Sequence, residues 1–388
     1  MSAKEPTALK NPEDEATPPS ASTRPMPGSS AAKRVRTRIA IVAPSLRYIG
    51  GQSAQADLLL RHWNNDPELE ARFIAHDPPF PSWLSWAEQI PYVRTVLRAP
   101  VYWAKLWGGL KEVDAAHIFS ASYWSFLLSP FPAWLIARSR GKGALINYHS
   151  GEAEDHLKRW WTARAILRRV QCVVVPSPFL AKVFEQFGIK TQVVPNLVDE
   201  NQFRFRLRNP IRPVLICTRG FHRYYSIDLV VRAFGAVQKE FPEARLILVG
   251  SGPTEQAVRV LVAQLKLKGV EFAGPVPRDQ MGREYDRADI FINASWLDNM
   301  PMSVLEAFAS GACVVSTAPE GIRYVVEHER TGLLSEPGDW QTLGRNVIRL
   351  LKEPILASRL ASNANQECRK YTWESARGQW LEIYRSLK

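Results

Sequence analysis

One stretch decides the fold of this chain: residues 288–307, which read ADIFINASWLDNMPMSVLEA. An apolar run suited to a buried strand ends here in polar residues, and a helix is predicted to begin near Pro301. Proline is tolerated at the first helical position, because the amide of that residue has no partner inside the helix. The stretch therefore predicts a strand, a loop and a helix, the repeating unit of α/β sheets.

Two acids lie eight residues apart in this unit, Asp298 in the loop and Glu306 in the helix. The free amides of a first helical turn, here near Pro301, Met302 and Ser303, form a site for an anion such as a diphosphate. Acids beside such a site repel phosphate, but they accept hydrogen bonds from the hydroxyls of a ribose or a sugar. The chemistry indicates a sugar nucleotide as ligand. The alternative is an ordinary strand-loop-helix unit whose acids are merely solvated.

The pattern resembles the acid-x7-acid signature of the retaining glycosyltransferases of family 4, the glycosyl transferases group 1, which have the GT-B fold. In that family the second acid binds the ribose of the nucleotide sugar, so the resemblance assigns this role to Glu306. The first acid is usually glutamate, whereas this chain has Asp298, which is one methylene shorter and is expected to hold the donor sugar. The resemblance extends over roughly residues 38–388 and is strongest in the second half.

Composition and periodicity predict an α/β protein with two folded domains. Apolar residues make up 46% of the chain, and short apolar runs alternate with helical patterns, which favours two Rossmann-like doubly wound parallel sheets. The resemblance implies that these domains face a central cleft in a GT-B arrangement. Ten strands are predicted, at residues 37–42, 115–119, 144–148, 172–176, 192–194, 214–217, 245–249, 270–272, 290–293 and 313–316.

Four segments are predicted along the chain. Residues 1–36 are rich in Pro, Ser, Ala and Thr and lack an apolar stretch, so we expect a disordered tail and not a secretory signal. Residues 37–205 form the acceptor-side domain and residues 206–370 the nucleotide-sugar domain, with the boundary in the charged stretch 201–213. Residues 371–388 form a helix, which in the resembled family returns to the first domain; an ordinary last helix of the second domain is the alternative.

Basic residues follow the strand predicted at residues 214–217, where open α/β sheets bind their ligands. In the resembled family an arginine and, a few residues later, a lysine hold the diphosphate, and Arg219 matches the arginine. Tyr224 and Tyr225 stand at the lysine position, which is a departure from the family. Arg223 is predicted to supply the missing charge, since a guanidinium can bind phosphate through two hydrogen bonds. A solvent-exposed arginine without a ligand is the alternative.

Three loops are candidates for contact with the nucleotide. Gly250 and Gly252 follow the strand predicted at residues 245–249, and glycine lets a ligand approach the backbone closely. Val276 belongs to a loop that resembles the family loop whose backbone meets the base. Gly50 and Gly51 resemble the first-domain loop that faces the donor phosphates across the cleft. For each glycine pair, an ordinary turn is the alternative.

His149 ends the strand predicted at residues 144–148. Many members of the resembled family carry a histidine at this strand end, close to the donor sugar. Imidazole can hydrogen-bond a sugar hydroxyl or position the acceptor. The catalytic set predicted here is therefore Asp298, Glu306, Arg219 and His149, and the alternative for His149 is a histidine satisfied by local backbone.

Tryptophans and basic residues are concentrated in the first domain. Nine of the thirteen tryptophans lie between Trp63 and Trp161, and residues 37–209 contain 21 basic but only 14 acidic side chains. Indole rings favour the headgroup level of a bilayer and cations favour anionic lipid, so a peripheral contact with an anionic membrane surface is predicted. Packing of these aromatics in the domain core is one alternative. Nucleic-acid binding is another, which the modest charge and the lack of a recognised motif disfavour.

Together these features predict a hexosyltransferase that moves a sugar from a nucleotide-diphosphate sugar to the hydroxyl of a lipid-linked or polysaccharide acceptor. The resemblance implies retention of configuration and no bound cofactor, and the absence of an Asp-x-Asp triplet predicts that no metal is needed. Four widely spaced cysteines favour a reducing compartment, hence the cytoplasm and the inner face of the membrane. The missing lysine and the shorter Asp298 leave an alternative, a catalytically weakened GT-B scaffold that serves as a binding subunit in envelope assembly. No pattern indicates the donor base, the sugar, the acceptor or the linkage.

Overall fold

The computed structural model describes residues 36–47 and 50–388. Apart from Arg36, the tail predicted over residues 1–36 lies outside the described residues. Within the described part, no helix combines the length and apolar character that crossing a bilayer requires.

The first half of the chain forms a six-stranded sheet in which all paired strands are parallel, with the order β2-β1-β3-β4-β5-β6. Its strands are β1 (Thr37–Ala43), β2 (Leu69–Ala75), β3 (Ala115–Ser120), β4 (Gly143–Tyr148), β5 (Cys172–Val175) and β6 (Gln192–Val193). Its helices are α1 (Gly51–Asn64), α2 (Pro91–Gly109), α3 (Tyr123–Leu128), α4 (Pro130–Ser139), α5 (Ala153–Arg159), α6 (Trp161–Leu167) and α7 (Pro178–Gln186).

The second half forms another parallel six-stranded sheet, with the order β12-β11-β10-β7-β8-β9. Its strands are β7 (Val214–Cys217), β8 (Arg245–Val249), β9 (Val270–Gly274), β10 (Ile290–Asn293), β11 (Cys313–Thr317) and β12 (Leu333–Ser335). The helices after β7 are α8 (Ile227–Glu240), α9 (Glu255–Gln264), α10 (Met281–Arg287), α11 (Met302–Ser310), α12 (Trp340–Lys352), α13 (Pro354–Cys368) and α14 (Trp373–Ser386). Two doubly wound α/β sheets were predicted, and this fold class is confirmed.

Each sheet is covered on both faces, because successive side chains of a strand point to opposite sides. In β1, Ala40 and Val42 pack in one core with α2, α4, α5 and α7. Ile39 and Ile41 pack on the opposite face with α1 and α14. This alternation explains why β1 is apolar along most of its length, as strands buried on both faces are.

Two edge strands were missed by the prediction. β2 reads LEARFIA and alternates apolar with charged or exposed residues, so it lacks the continuous apolar run that identified the other strands. β12 has only three residues, too few for a periodic signal. Both strands lie at the edge of their sheets. An edge strand needs less apolar surface, since one of its sides has no neighbouring strand.

The last helix, α14, packs against the first sheet. Its side chains Ala376, Trp380 and Ile383 are buried in the core that also contains Ile39. The hydroxyl of Tyr384 lies 2.8 Å from Nδ1 of the buried His117 on β3. The last helix therefore packs on the half of the molecule that contains β1.

Candidate functional site

The two predicted acids lie on either side of the first turn of α11. The loop after β10 carries Asp298, and Glu306 follows one turn into the helix with a half-buried side chain. Pro301 precedes the helix in extended conformation (φ −71°, ψ 126°), so the helix begins at Met302 and not at the proline. The free amides of Met302 and Ser303 thus lie between the two acids.

Arg219 joins the strand β7 to this helix. Its Nη1 donates a hydrogen bond to Oγ of Ser303 over 3.1 Å, and its Nη2 forms a short ion pair with Oδ2 of Asp298. The guanidinium also lies 3.9 Å from the ring centre of Tyr225. Burial raises the pKa of the Asp298 carboxyl, and the guanidinium opposes this shift. Arg219 is therefore fixed against the first turn of α11 by three neighbours.

Glu306 is held by a residue that the sequence analysis missed, Tyr285 of α10. The fully buried Tyr285 hydroxyl lies 3.1 Å from Oε2 of Glu306, 2.9 Å from the carbonyl oxygen of Ser303 and 2.8 Å from Oγ1 of Thr218. Burial raises the pKa of Glu306, while the positive charge of Arg278 and the hydrogen bond from Tyr285 lower it. Ser303 contacts both Arg219 and Tyr285. Arg219, predicted to bind phosphate, and Glu306, predicted to bind ribose, therefore lie at one site.

Arg278 is a second residue that the prediction missed. It follows the loop containing Val276, and its charge acts on the carboxyl group of Glu306. Its Nη1 lies 4.0 Å from Oδ2 of Asp57 on α1, so it faces the first half of the molecule as well. Val276 is buried beside it. A basic residue directly after the glycine-proline loop 274–277 was the available signal, and the prediction considered only the loop backbone.

His149 lies at the carboxyl end of β4, as predicted, and its ring stacks on Phe119 with 5.1 Å between ring centres. Burial lowers the pKa of His149 to about 3, so its imidazole is neutral at physiological pH. Its Nε2 is buried and has no hydrogen-bond partner among the described residues. Two residues on, a Cβ at Gly151 would lie 3.3 Å from Cγ of Leu297. The loop after β4 therefore touches the loop that carries Asp298.

Helix α1 also faces α11. Nε2 of Gln55 lies 2.7 Å from Sδ of Met302, and the same side chain holds the backbone of Leu197. Gly50 and Gly51 begin this helix, and Cβ atoms added to them would meet open space. Neither glycine is explained by crowding within the protein. This open space lies at the start of α1, the helix whose Gln55 contacts Met302 in the first turn of α11.

Gly250 and Gly252, by contrast, have a structural explanation. Their φ angles are 129° and 156°, in a region that disfavours other residues. A Cβ on Gly250 would lie 2.7 Å from the carbonyl oxygen of Arg219, and one on Gly252 would lie 2.6 Å from that of Phe221. These glycines let two loops pack closely at the carboxyl ends of β7 and β8. A nucleotide contact was predicted for these glycines, with an ordinary turn as the alternative, and contact between the loops by itself accounts for their missing side chains.

Arg223 does not join the cluster. Its side chain is exposed, and among the described residues none forms a hydrogen bond or ion pair with its guanidinium. It begins a short 3-10 helix, Arg223–Tyr225, whose last residue lies under Arg219. Tyr225 therefore supports the arginine from a position where the resembled family has a lysine.

Several polar groups around α11 lack a hydrogen bond within the described part of the protein. Nε of Arg219, Nη1 of Arg278, Nδ2 of Asn299 and Nε2 of His149 are buried and make no hydrogen bond with the described residues. Buried polar groups in folded proteins are normally paired. Three of these groups can only donate. The arrangement therefore suits a ligand that supplies acceptor atoms to the donors and hydroxyls to Asp298 and Glu306.

Comparison with known sequences identifies the family. The profile described as Glycosyltransferase Family 4 matches residues 49–202, and the profile described as Glycosyl transferases group 1 matches residues 198–367. The chain is 26% identical over 235 residues to sulfoquinovosyl transferase of Arabidopsis thaliana, which covers 56% of this chain and 45% of that protein. It is 29% identical over 237 residues to D-inositol 3-phosphate glycosyltransferase of Nocardioides sp., covering 54% and 51%. It thus spans about half the length of the curated relatives it matches.

Solved structures share the fold. Sucrose-phosphate synthase of Thermosynechococcus elongatus superposes with a TM-score of 0.71 at 21% identity, covering 91% of this chain and 99% of that one. Anabaena HepE, solved in complex with UDP-glucose, superposes with a TM-score of 0.69 at 17% identity, covering 91% and 100%. With its two parallel sheets in the GT-B arrangement and both halves matched in order, the chain belongs to glycosyltransferase family 4, the glycosyl transferases group 1.

Proposed function

We propose that this protein is a retaining glycosyltransferase that moves a sugar from a nucleotide-diphosphate sugar to a hydroxyl acceptor. One observation carries the proposal: Arg219 is fixed on the first turn of α11, between Asp298 and Ser303, one turn before Glu306. This places a guanidinium, free amides and two hydroxyl-binding acids in a single site. Anabaena HepE, which has the same fold, binds UDP-glucose.

In this proposal the diphosphate binds at the start of α11. The amides of Met302 and Ser303 and the guanidinium of Arg219 stabilise the negative charge that grows on the leaving group. The unpaired Nε of Arg219 is the donor available for a phosphate oxygen. No metal is required for this charge stabilisation, since the protein itself supplies a cation and a helix terminus.

Glu306 and Asp298 hold the hydroxyls of the donor. Oε2 of Glu306 already accepts a hydrogen bond from Tyr285, so Oε1 is the oxygen available for the ribose. Asp298 orients the donor sugar while it neutralises Arg219. His149, with a neutral ring and an unpaired Nε2, hydrogen-bonds a sugar hydroxyl from the opposite side of the cleft.

Retention then follows from attack on the face that the leaving group vacates. The acceptor hydroxyl loses its proton to the departing phosphate oxygen as the new glycosidic bond forms. No side-chain nucleophile is needed in this route, and none is proposed. The acceptor is a lipid-linked or polysaccharide hydroxyl at the cytoplasmic face of the membrane, a choice supported by the basic and aromatic surface of the first half.

The alternative is a scaffold that binds a nucleotide sugar without turning it over. The observation in its favour is that Tyr225 stands where a second cation is expected and leaves Arg219 as the only guanidinium contacting Asp298 among the described residues. Transfer or hydrolysis of any nucleotide sugar would exclude this alternative.

The test combines a donor screen with a matched pair of variants. Thermal shifts with uridine-, guanosine- and adenosine-diphosphate sugars identify the donor, and release of the nucleoside diphosphate then measures turnover. We expect Glu306→Gln to lower kcat/KM by at least roughly tenfold, which corresponds to the loss of one charge-assisted hydrogen bond. Glu243 is an exposed glutamate distant in sequence from Glu306, and Glu243→Gln should leave kcat/KM unchanged. Equal turnover in both variants would remove Glu306 from the site.

A further inference from the structure

Helix α2 presents an apolar stripe to solvent. Val96, Pro100, Trp103 and Trp107 recur at helical spacing and are all exposed, with 48% of Trp103 and 56% of Trp107 accessible. Tyr102, on the opposite side of the helix, is buried in the core. A surface helix normally turns a polar face outward. The outer stripe of α2 is therefore left largely uncovered by the described residues.

Further exposed apolar side chains lie on the helices that follow α2. Helix α4 packs against α2 and exposes Leu135, and α3 precedes α4 and exposes 69% of Trp124. Trp124 meets Trp160 edge to face at 5.2 Å, and the neighbouring Trp161 is also 69% exposed. We call this surface the docking face and define it by Val96, Trp103, Trp107, Leu135, Trp124 and Trp161. Exposed apolar surface of this extent marks an interaction site.

Positive charge accompanies the docking face. Helix α2 contains three basic residues and no acid. Lys105 and Arg138 are exposed, and the guanidinium of Arg140 lies 4.5 Å above the ring of Trp107. The acid nearest to Trp160 along the chain, Asp155, is paired with Arg159 at 2.7 Å. The electrostatic complement of this face is therefore an anionic, apolar-cored surface.

We propose that the docking face binds the anionic surface of a phospholipid bilayer, with α2 lying along the headgroup region. Indole rings are most stable at the headgroup level, where their apolar faces meet the acyl chains and their N–H groups stay hydrated. Exposed lysine and arginine side chains bind anionic headgroups. A helix with an apolar stripe and basic flanks has the properties of an interfacial helix.

One end of the docking face lies next to the proposed active-site cleft. Helix α3 begins three residues after β3 ends, and Ser122 at its start lies 2.9 Å from the hydroxyl of Tyr148. His149 directly follows Tyr148. The end of the docking face that contains Trp124 therefore adjoins the edge of the first sheet at which His149 lies. Resting here on the proposed function, we infer that the acceptor hydroxyl is carried by a lipid and enters from this end.

The test is flotation of the full chain with vesicles of phosphatidylcholine alone or with anionic phosphatidylglycerol added. Binding is expected only with the anionic vesicles, and salt should weaken it. The double variant Trp103→Ser with Trp107→Ser should bind at least roughly tenfold more weakly, since apolar contact is lost, and Lys105→Ala roughly fivefold more weakly. Ile355→Ser, which removes an 88% exposed apolar residue from the second half, should bind like the native protein.

Three outcomes would overturn the proposal. The chain could fail to float with anionic vesicles, or the double tryptophan variant could float unchanged. Light scattering could instead show an oligomer that the tryptophan changes convert to monomers, which would make the face a contact between copies.

Donor binding is measured separately in solution for every variant. A protein that floats but binds no nucleotide sugar would refute the proposed function and leave the docking face intact. A protein that turns over donor but never floats would refute only the docking face.

Discussion

Tyr285 donates its hydroxyl hydrogen toward Oε2 of Glu306, although the two residues come from different helices, α10 and α11. The same hydroxyl lies 2.9 Å from the carbonyl oxygen of Ser303. A phenol has one hydrogen, so these two acceptors share it. The contact fixes the orientation of the Glu306 carboxylate and leaves its other oxygen for a ligand.

Replacing Tyr285 with phenylalanine should change the pH dependence of donor binding. The hydrogen bond from Tyr285 lowers the pKa of Glu306 against the effect of burial, so its loss raises that pKa further. The ionised carboxylate binds ribose hydroxyls, and its affinity is lost as pH falls through the pKa. In Tyr285→Phe this loss should begin at a higher pH than in the native protein, as measured by the donor Kd between pH 8 and 5.

Tyr102→Phe is the matched control, because Tyr102 is also buried and donates to the carbonyl oxygen of Ser129 at 3.1 Å. Tyr102→Phe should lose about 1 kcal/mol of stability from one hydrogen bond, and Tyr285→Phe at least as much, because its hydroxyl also contacts Thr218. Only Tyr285→Phe should shift the pH profile. Identical profiles in the two variants would show that Tyr285 supports the fold and not Glu306.

The two arginines near β7 should differ in their effect on donor affinity. Arg219→Lys loses the forked contact to Ser303 and Asp298, so donor affinity should fall by roughly ten- to hundredfold. Arg223 is exposed and has no side-chain partner among the described residues. If Arg223→Ala also weakens binding of the intact donor but not of the nucleoside alone, Arg223 holds the diphosphate. Unchanged affinity would mark it as a bystander. Titration calorimetry distinguishes these results.

Substitutions at Gly51 and Gly252 should distinguish a glycine that contacts ligand from one that is required by packing within the protein. Gly51→Ala adds a methyl group to open space, so stability should change by less than about 1 kcal/mol. Any loss of donor affinity in this variant then reports a ligand near α1. Gly252→Ala places a Cβ 2.6 Å from a carbonyl oxygen at φ 156°, so it should destabilise the protein by about 1–3 kcal/mol. Urea unfolding of both variants checks these values, and equal stabilities would contradict the packing explanation.

Buried histidines should make the protein sensitive to mild acid. Burial lowers the pKa of His117 and His149 to about 3 and that of His156 to about 4, from an ordinary value of 6.5. Below pH 6.5 the unfolded chain therefore takes up protons that the native protein does not. Each histidine should remove about 1.4 kcal/mol of stability per pH unit as pH falls from 6.5 toward 4.

Urea unfolding at pH 7.5, 6 and 5 measures this slope. A further measurement at pH 8 gives the internal control, because between pH 8 and 7.5 the three histidines are almost entirely neutral in both states. A flat stability between pH 6 and 5 would contradict the burial of these rings. Since His149 stays neutral over this range, its titration should not appear in the pH profile of turnover.

The order of strands and helices was readable from local pattern alone. The strands β7, β8 and β10 are apolar runs that contain valine or isoleucine, and an α-helix comes before the next strand in each case. The alternation of strands with helices predicts parallel sheets, because two consecutive parallel strands need a crossover, usually a helix, between them. The parallel arrangement in turn brought Arg219 and Asp298 to one edge, since both follow strand ends in the same sheet. β2 escaped prediction because charged residues alternate with its apolar residues and break the continuous apolar run.

Folding in three dimensions decided the partners of these residues. Tyr285 reaches Glu306 from a helix whose sequence carries no local sign of that contact, because side-chain contacts between distant segments have no periodicity. The apolar residues of α2 cover both of its faces, so their spacing could not tell buried Tyr102 from exposed Trp103. The hydrophobic pattern of a chain specifies which surfaces avoid water. Which of them find a partner depends on where the rest of the chain lies.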